Sequence, residues 1–143
     1  MLSPAEMRAW GWNGELRYEL SLPSATPSNN VIKGMHFQVY KKTRGNWRLM
    51  VQAALKGFRP EKPLEKSGLV IIRRCSGELD WDNAYGGLKP MLDCLVSPSD
   101  KNPDGLGLIL DDNPRAMPFP PFLKQEKAKP KQGSTTVLIY ELT

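Results

Sequence analysis

The chain has 143 residues, enough to bury the core of one domain without a disulfide or a structural metal. Its two cysteines fit a reduced intracellular protein better than a disulfide scaffold, and they form no CxxC pair. No apolar run is long enough to cross a bilayer and the first residues lack a signal-peptide pattern, so we expect a cytoplasmic protein with no membrane contact. The net charge of +5 is modest, and its distribution along the chain is more informative than its total.

The first predicted element is a strand over "ELRYELSLP" (15–23), in which apolar and polar residues alternate until a proline ends the run. "SATPSNN" then favours a polar loop, because proline restricts the backbone while serine and asparagine bond to it. Between residues 45 and 58 apolar residues recur at helical spacing, and Gly57 is placed to end the helix. We expect Arg44 and Arg48 on the outward face of that helix.

A central strand is predicted at "SGLVIIRRC" (67–75), which is rich in β-branched residues and leads directly into an acidic cluster. "GGLKPMLDCLV" (86–96) predicts a helix with Pro90 in its first turn, where the missing N–H does no harm. "VSPSDKNPDG" reads as a surface loop, and "LGLILDD" as a short extended run that ends in two acids.

The last third of the chain is divided between a proline-rich stretch and a clear strand. Residues 113–133 contain five prolines and more cations than acids, which favours a mobile basic arm or an edge strand over core. "STTVLIYEL" (134–142) predicts a strand. The order strand, helix, strand, helix, strand predicts one α+β domain, with a mixed β-sheet flanked by helices.

Positive and negative charges are separated along the chain. Residues 20–60 hold seven cations and no Asp or Glu, whereas residues 78–112 hold eight acids and only two lysines. A protein that binds a polyanion through Lys and Arg, while carboxylate-bound metal acts on its phosphates, needs such a separation. The alternative is that both segments are merely solvated surface.

Two aspartates in "DWDN" are the first candidates for chemistry. Asp80 and Asp82 are two residues apart, so in extended backbone both side chains would point the same way and could share Mg²⁺. Asp111–Asp112 is the best source of a third carboxylate, and Lys89 could stabilise charge on a phosphodiester or position the nucleophile. Asp and Asn also favour turns and helix N-caps, so a purely structural role is the alternative.

Three motifs occur together in a characteristic order: "DWDN", then "LKPMLDCL", then "GLGLILDDNP". With the earlier "LPSATPSNN" loop, this order resembles the RusA family of Holliday junction resolvases over roughly residues 16 to 142. The resemblance implies a RusA-like endonuclease domain, which we place at 15–143 after an N-terminal extension at 1–14 whose role the family pattern does not cover.

The resemblance also implies the activity and its residues. Asp80, Asp82 and Asp112 match the metal-binding carboxylates, with Mg²⁺ as the cofactor, Mn²⁺ as its substitute and no organic cofactor. Lys89 matches the lysine of the family's helix, while "AYGG" lengthens the connection before it and is expected to be a flexible link. Asp111 and Asn83 are candidates for orienting the ligand carboxylates.

The implied partner is a four-way junction or other branched DNA. A homodimer suits it, because a nearly two-fold symmetric junction offers two equivalent strands to two equivalent sites. A non-catalytic branched-DNA-binding module that keeps the fold is the alternative function. The sequence leaves open whether Trp10 and Trp12 pack at a dimer interface or stack on a base. The candidate phosphate contacts are Lys33, Lys41, Lys42, Arg44, Arg48, Lys127, Lys129 and Lys131.

Overall fold

The computed structural model describes residues 3–143 as one α+β domain with a four-stranded mixed sheet, as the sequence predicts. The helices are α1 (Pro4–Ala9), α2 (Asn29–Lys33), α3 (Phe37–Leu55), α4 (Trp81–Gly86) and α5 (Lys89–Leu95). The strands are β1 (Gly14–Leu22), β2 (Ser67–Cys75), β3 (Phe122–Lys127) and β4 (Ser134–Leu142). Within residues 3–143, no helix is long and apolar enough to cross a membrane.

The strand order is β1-β4-β2-β3, and only the β2–β3 pair is parallel. β2 lies in the interior of the sheet and its first seven residues are buried, which confirms the predicted central strand. β3 forms an edge, so the proline-rich stretch contributes an edge strand. Because β2 and β3 are parallel, their carboxyl ends meet at the same edge of the sheet, where the "DWDN" segment begins.

Both faces of the sheet are covered. One face packs against α3 and α5 through a core that includes Leu20, Val51, Ile71, Met91 and Leu95. The other face carries a smaller apolar cluster built on β2 and β4, and the N-terminal segment covers it.

The N-terminal segment is anchored by two tryptophans. Trp12 is 2% exposed and packs against Tyr140 at a ring-centroid separation of 5.5 Å, while Trp10 meets Phe122 edge-on at 5.1 Å. The contact is close, because a Cβ added to Gly68 would lie only 2.9 Å from the Trp12 ring. Trp12 is therefore a core residue of its own chain, and it is not available to pack at a dimer interface or to stack on a base.

α3 is longer than predicted, and one expectation about it is wrong. The helix begins at Phe37 and passes through Gly45 before Lys56 and Gly57, both at positive φ, end it. Arg44 does not face outward: it is 5% exposed, and its Nε donates to Asp104 Oδ2 at 2.9 Å. The reason is spacing, since Arg44 lies three residues before Trp47 and so shares its buried stripe.

We expect Trp12→Ala to lower the free energy of unfolding by about 3–5 kcal/mol. The substitution removes a buried indole and leaves a cavity that the sheet is too rigid to fill. Urea unfolding followed by circular dichroism measures this. Trp81→Ala is the matched control, since Trp81 is 56% exposed and its loss should change stability by about 0.5 kcal/mol or less. Equal losses in the two variants would contradict the packing of the N-terminal segment on the sheet.

Candidate functional site

The segment that carries the acidic motif is held in place by β3. The side-chain amide of Gln125 bonds the Leu79 backbone twice: Leu79 N donates to Oε1 at 3.0 Å, and Nε2 donates to the Leu79 carbonyl at 2.9 Å. The backbone is thereby fixed one residue before Asp80. Nothing in the proline-rich stretch signalled this role for Gln125.

A buried arginine joins the two loops around the motif. Arg73 is 6% exposed, and its guanidinium donates to the Thr26 carbonyl at 2.8 Å and to the Gly77 carbonyl at 3.1 Å. Thr26 belongs to the loop after β1 and Gly77 to the loop after β2. The sequence offered one signal for this role: Arg73 is a charged residue inside a predicted central strand, and a buried charge requires hydrogen-bond partners.

The extended geometry expected for Asp80 and Asp82 is wrong, because a helix starts between them. Asp80 is the N-cap of α4 and Asp82 lies in its first turn. Residues two apart at a helix start do not share a face as they do in a strand. Both aspartates are exposed, and the Asp80 side chain makes no capping hydrogen bond although it occupies the cap position. Asn83 follows in the same turn and is half-buried.

The "AYGG" connection is a packed corner rather than a flexible link. Ala84 is fully buried within α4, and the Tyr85 hydroxyl accepts a hydrogen bond from Leu123 N at 3.3 Å. A Cβ added to Gly87 would overlap the carbonyl oxygen of Pro27. The "PSN" part of the first loop therefore packs directly on the α4–α5 corner, which sets the direction of α5.

Lys89 begins α5 and forms the ion pair expected from its spacing to Asp93, with Nζ 3.5 Å from Oδ1. Lys89 remains well exposed at 64% of its side chain. The other carboxylate oxygen of Asp93 accepts a hydrogen bond from the Tyr40 hydroxyl at 2.6 Å. Burial and the bond to Asp93 raise the pKa of Tyr40 far above its ordinary value. Asp93 thus connects α3 to the lysine.

The two acids after "LGLIL" have different surroundings. The Asp111 carboxylate accepts from Asp112 N at 2.7 Å and from Asn113 Nδ2 at 3.0 Å, so it shapes a turn. Partial burial of the carboxyl, followed by its hydrogen bond with Asp111 and the charges of Asp111 and Asp93, raises the pKa of Asp112 above its ordinary value.

The donor chemistry suits Mg²⁺, since Asp80, Asp82 and Asp112 offer hard carboxylate oxygens. Within residues 3–143, however, no group of three or more His, Cys, Asp or Glu side chains is arranged so that it could hold a metal ion. A single chain therefore supplies the donors without assembling them into one group.

Exposed cations lie near the acidic segment. Helix α2, which carries Lys33 in its last turn, packs against α4. Lys127 is the register partner of Cys75 at the end of β2, and it lines a cavity together with Glu78. Arg44 is excluded by its buried ion pair with Asp104, and Arg48 is half-buried farther along α3. The exposed candidates that remain are Lys33, Lys41, Lys42, Lys127, Lys129 and Lys131.

Comparison with known proteins finds no family model that matches this chain, and no curated protein with significant similarity to it.

We expect Gly87→Ala to destabilise the protein by about 1–3 kcal/mol or more, because the new methyl group must displace the Pro27 carbonyl. Gly45→Ala is the matched control: a Cβ there meets nothing within 4 Å, so the variant should gain about 0.5–1 kcal/mol from helix propensity. Urea titrations of both variants provide the measurement. If Gly87→Ala unfolds at the wild-type urea concentration, the α4–α5 corner is not packed on the first loop.

We expect Tyr40→Phe to cost about 1.5 kcal/mol or more at neutral pH, because the Asp93 carboxylate loses a buried donor. The folded-state pKa of Tyr40 is raised above 10.0, so its contribution is complete below about pH 10 and declines as pH rises and the unfolded chain ionises. Urea midpoints of both proteins between pH 7 and pH 11 test this. A difference between them that stayed constant to pH 11 would contradict the raised pKa.

Proposed function

We propose that this protein is a metal-dependent endodeoxyribonuclease that resolves Holliday junctions by paired phosphodiester hydrolysis in DNA recombination and repair. One observation carries the proposal: the exposed Asp80 and Asp82 lie at the start of α4, and α2, which carries the exposed Lys33, packs against α4. Together with the order of the RusA-like motifs, this arrangement fits a nucleic-acid phosphate held beside a carboxylate-bound metal.

The separation of charge has a physical purpose in such an enzyme. Lysines such as Lys33 and Lys127 attract the DNA backbone and hold it without reading its sequence. Carboxylates repel the same backbone unless a divalent cation lies between them and the phosphate oxygens. Acids with cations nearby therefore fit a polyanionic substrate: the lysines bind it, and it is cleaved at the carboxylates.

In the proposed site, Asp80, Asp82 and Asp112 would hold Mg²⁺ or Mn²⁺, which activates water and offsets charge on a phosphodiester. Asp93 orients Lys89 through their ion pair, and Tyr40 fixes Asp93 from α3. Because most of its side chain is exposed, Lys89 can approach a phosphate oxygen and stabilise the charge that develops there.

A homodimer is part of the proposal. Two-fold symmetric assembly would present two equivalent sites to the two equivalent strands of a junction. Large apolar side chains exposed on α2, α3 and α4 provide surface that a second copy could bury. Examples are Val31 at 54%, Phe37 at 64% and Trp81 at 56% exposure.

A second function is favoured by one specific observation. Because no assembled group of metal-holding side chains occurs in residues 3–143, the chain could instead bind branched DNA without cutting it. In that case the aspartates would serve the helix start and the turn, while the lysines would keep their role in binding.

The two functions are separated by incubating a synthetic four-way junction with the protein, with and without Mg²⁺. We expect metal-dependent paired nicks, and a loss of more than about a hundredfold in rate for Asp82→Asn, which removes a ligand charge but should leave junction binding intact. Asp100→Asn, an exposed acid in the loop after α5, is the matched control and should cut normally. Wild-type protein that binds junctions but never cuts them in Mg²⁺ or Mn²⁺ would establish the non-catalytic module.

The role of the basic surface is tested by replacing Lys41 and Lys42 together with glutamine. Loss of two phosphate contacts should weaken DNA binding and reduce the slope of log affinity against log salt by about 2. Lys62→Gln with Lys66→Gln makes the same charge change before the start of β2, away from α4, and should leave the slope unchanged. Equal slopes in all three proteins would remove Lys41 and Lys42 as phosphate contacts.

A further inference from the structure

A pocket of about 320 Å³ lies between the end of α3 and the loop that follows α5, and the site described above does not use it. Its lining includes Arg48, Gln52, Leu55, Phe58, Arg59 and Leu106. Twelve residues of α3 separate Tyr40, which bonds Asp93, from Gln52 in the pocket, a length of about 18 Å along the helix. The pocket is thus a separate feature on the same helix.

The charge of the pocket is one-sided. Two guanidinium groups line it and no carboxylate does. Within the described residues, neither Arg48 nor Arg59 forms an ion pair, and Arg48 Nε is buried without a hydrogen-bond partner. The nearby Asp104 is already paired with Arg44. Arg48 Nε is too enclosed for a ligand to reach, so an anion in the pocket would bind the terminal guanidinium nitrogens, whose charge no carboxylate of the lining neutralises.

The same pocket offers a flat apolar surface. Phe58 follows the end of α3, is 56% exposed, and is supported by Tyr18 at a ring-centroid separation of 6.1 Å. The Leu55 carbonyl at the helix end accepts a hydrogen bond from Phe58 N at 3.0 Å, so it is already satisfied. Because this carbonyl already accepts a hydrogen bond, it repels an anion less than an unpaired carbonyl at a helix end would.

Phe58 also borders a second cavity, whose charged lining residues are Arg17, Glu19 and Glu141. Arg17 is already paired with Glu141 at 2.7 Å, so the unpaired charge left in that cavity is the carboxylate of Glu19, which would repel a phosphate. The anionic part of a ligand that contacts Phe58 must therefore lie on the side of Arg48 and Arg59.

We propose that this pocket binds one nucleotide unit, with its phosphate held by Arg48 and Arg59 and its base stacked on Phe58. The identification of the ligand as part of a DNA strand rests on the proposed function. Arg48 is eight residues after Tyr40 on α3, a length of about 12 Å, so a strand running along the helix from Lys89 would bring a nucleotide to the pocket within about four phosphates. Its base must be unpaired to stack on Phe58. A free nucleotide presents the same chemistry.

The direct test is titration of the intact protein with thymidine monophosphate, followed by NMR chemical shifts without metal. Phe58→Ala should weaken binding by about fivefold or more, from lost stacking, and Arg48→Met or Arg59→Met by about tenfold, from a lost charged contact. Leu49→Ala and Arg8→Met are controls for an exposed apolar residue and an exposed arginine outside the pocket, and they should bind as wild type does. Circular dichroism verifies folding, and Arg59 at the exposed rim supplies a variant if Arg48→Met does not fold.

Three results would overturn the assignment of a nucleotide. The first is the absence of binding at millimolar thymidine monophosphate, and the second is an equal loss of affinity in the pocket variants and their controls. The third is equal affinity for inorganic phosphate and for thymidine monophosphate, which would show that the base does not contribute to binding.

The source of the nucleotide is decided by a second measurement, the affinity for a four-way junction with unpaired thymidines near its centre. If the ligand is part of the DNA, Phe58→Ala should weaken binding of this junction as it weakens binding of the nucleotide. Nucleotide binding that is lost in Phe58→Ala, with junction affinity unchanged, would overturn the DNA source in favour of a free nucleotide. The nuclease proposal is tested separately, by whether the wild-type protein cleaves the junction in Mg²⁺. Its failure would not affect the nucleotide result, because nucleotide binding is measured without metal.

Discussion

The buried guanidinium of Arg73 holds together the two loops on which the candidate site depends. It extends from the central strand to the carbonyls of Thr26 and Gly77, so one charged group satisfies backbone acceptors on both sides. A guanidinium suits this task, because its donors are spread over a rigid plane and it stays charged in the interior. Once the loops are joined, Gly87 lies directly on Pro27, and the corner between α4 and α5 is fixed.

Asp80, Asp82 and Asp93 lie on the two helices that meet at that corner, and their surroundings differ. Asp80 and Asp82 remain at the surface of a helix start, whereas Asp93 is engaged by Tyr40 and Lys89 on its two oxygens. Partial burial, followed by the hydrogen bond with Asp111 and its charge, raises the pKa of Asp112. In the proposed activity, metal, DNA or a second subunit would have to bring these donors together, because the described residues of one chain do not assemble them.

Much of the fold was predictable because the spacing of apolar residues along a strand or helix is a local property of the sequence. The alternation in β1, the β-branched run of β2 and the apolar run of β4 all placed strands within a residue of their observed bounds. Pro90 correctly indicated the first turn of α5. α4 was missed, because six residues with a glycine carry too little helical signal and are stabilised by contacts with distant segments. Arg44 was misplaced although its spacing puts it on the stripe of Trp47, because Asp104, the partner that allows its burial, is sixty residues away.

The sequence by itself determined the fold class, three of the four strands, the identity of the acidic residues and the resemblance to RusA resolvases, because each depends on residue types at short spacing. It left β3 open as a mobile arm or an edge strand. Only the tertiary structure decided which of these residues are available. It buried Trp12 in the core and Arg44 in an ion pair, left Lys89 exposed beside Asp93, and turned "AYGG" from an expected link into a packed corner. These outcomes depend on neighbours far apart in the chain, and only the folded packing brings such neighbours within reach.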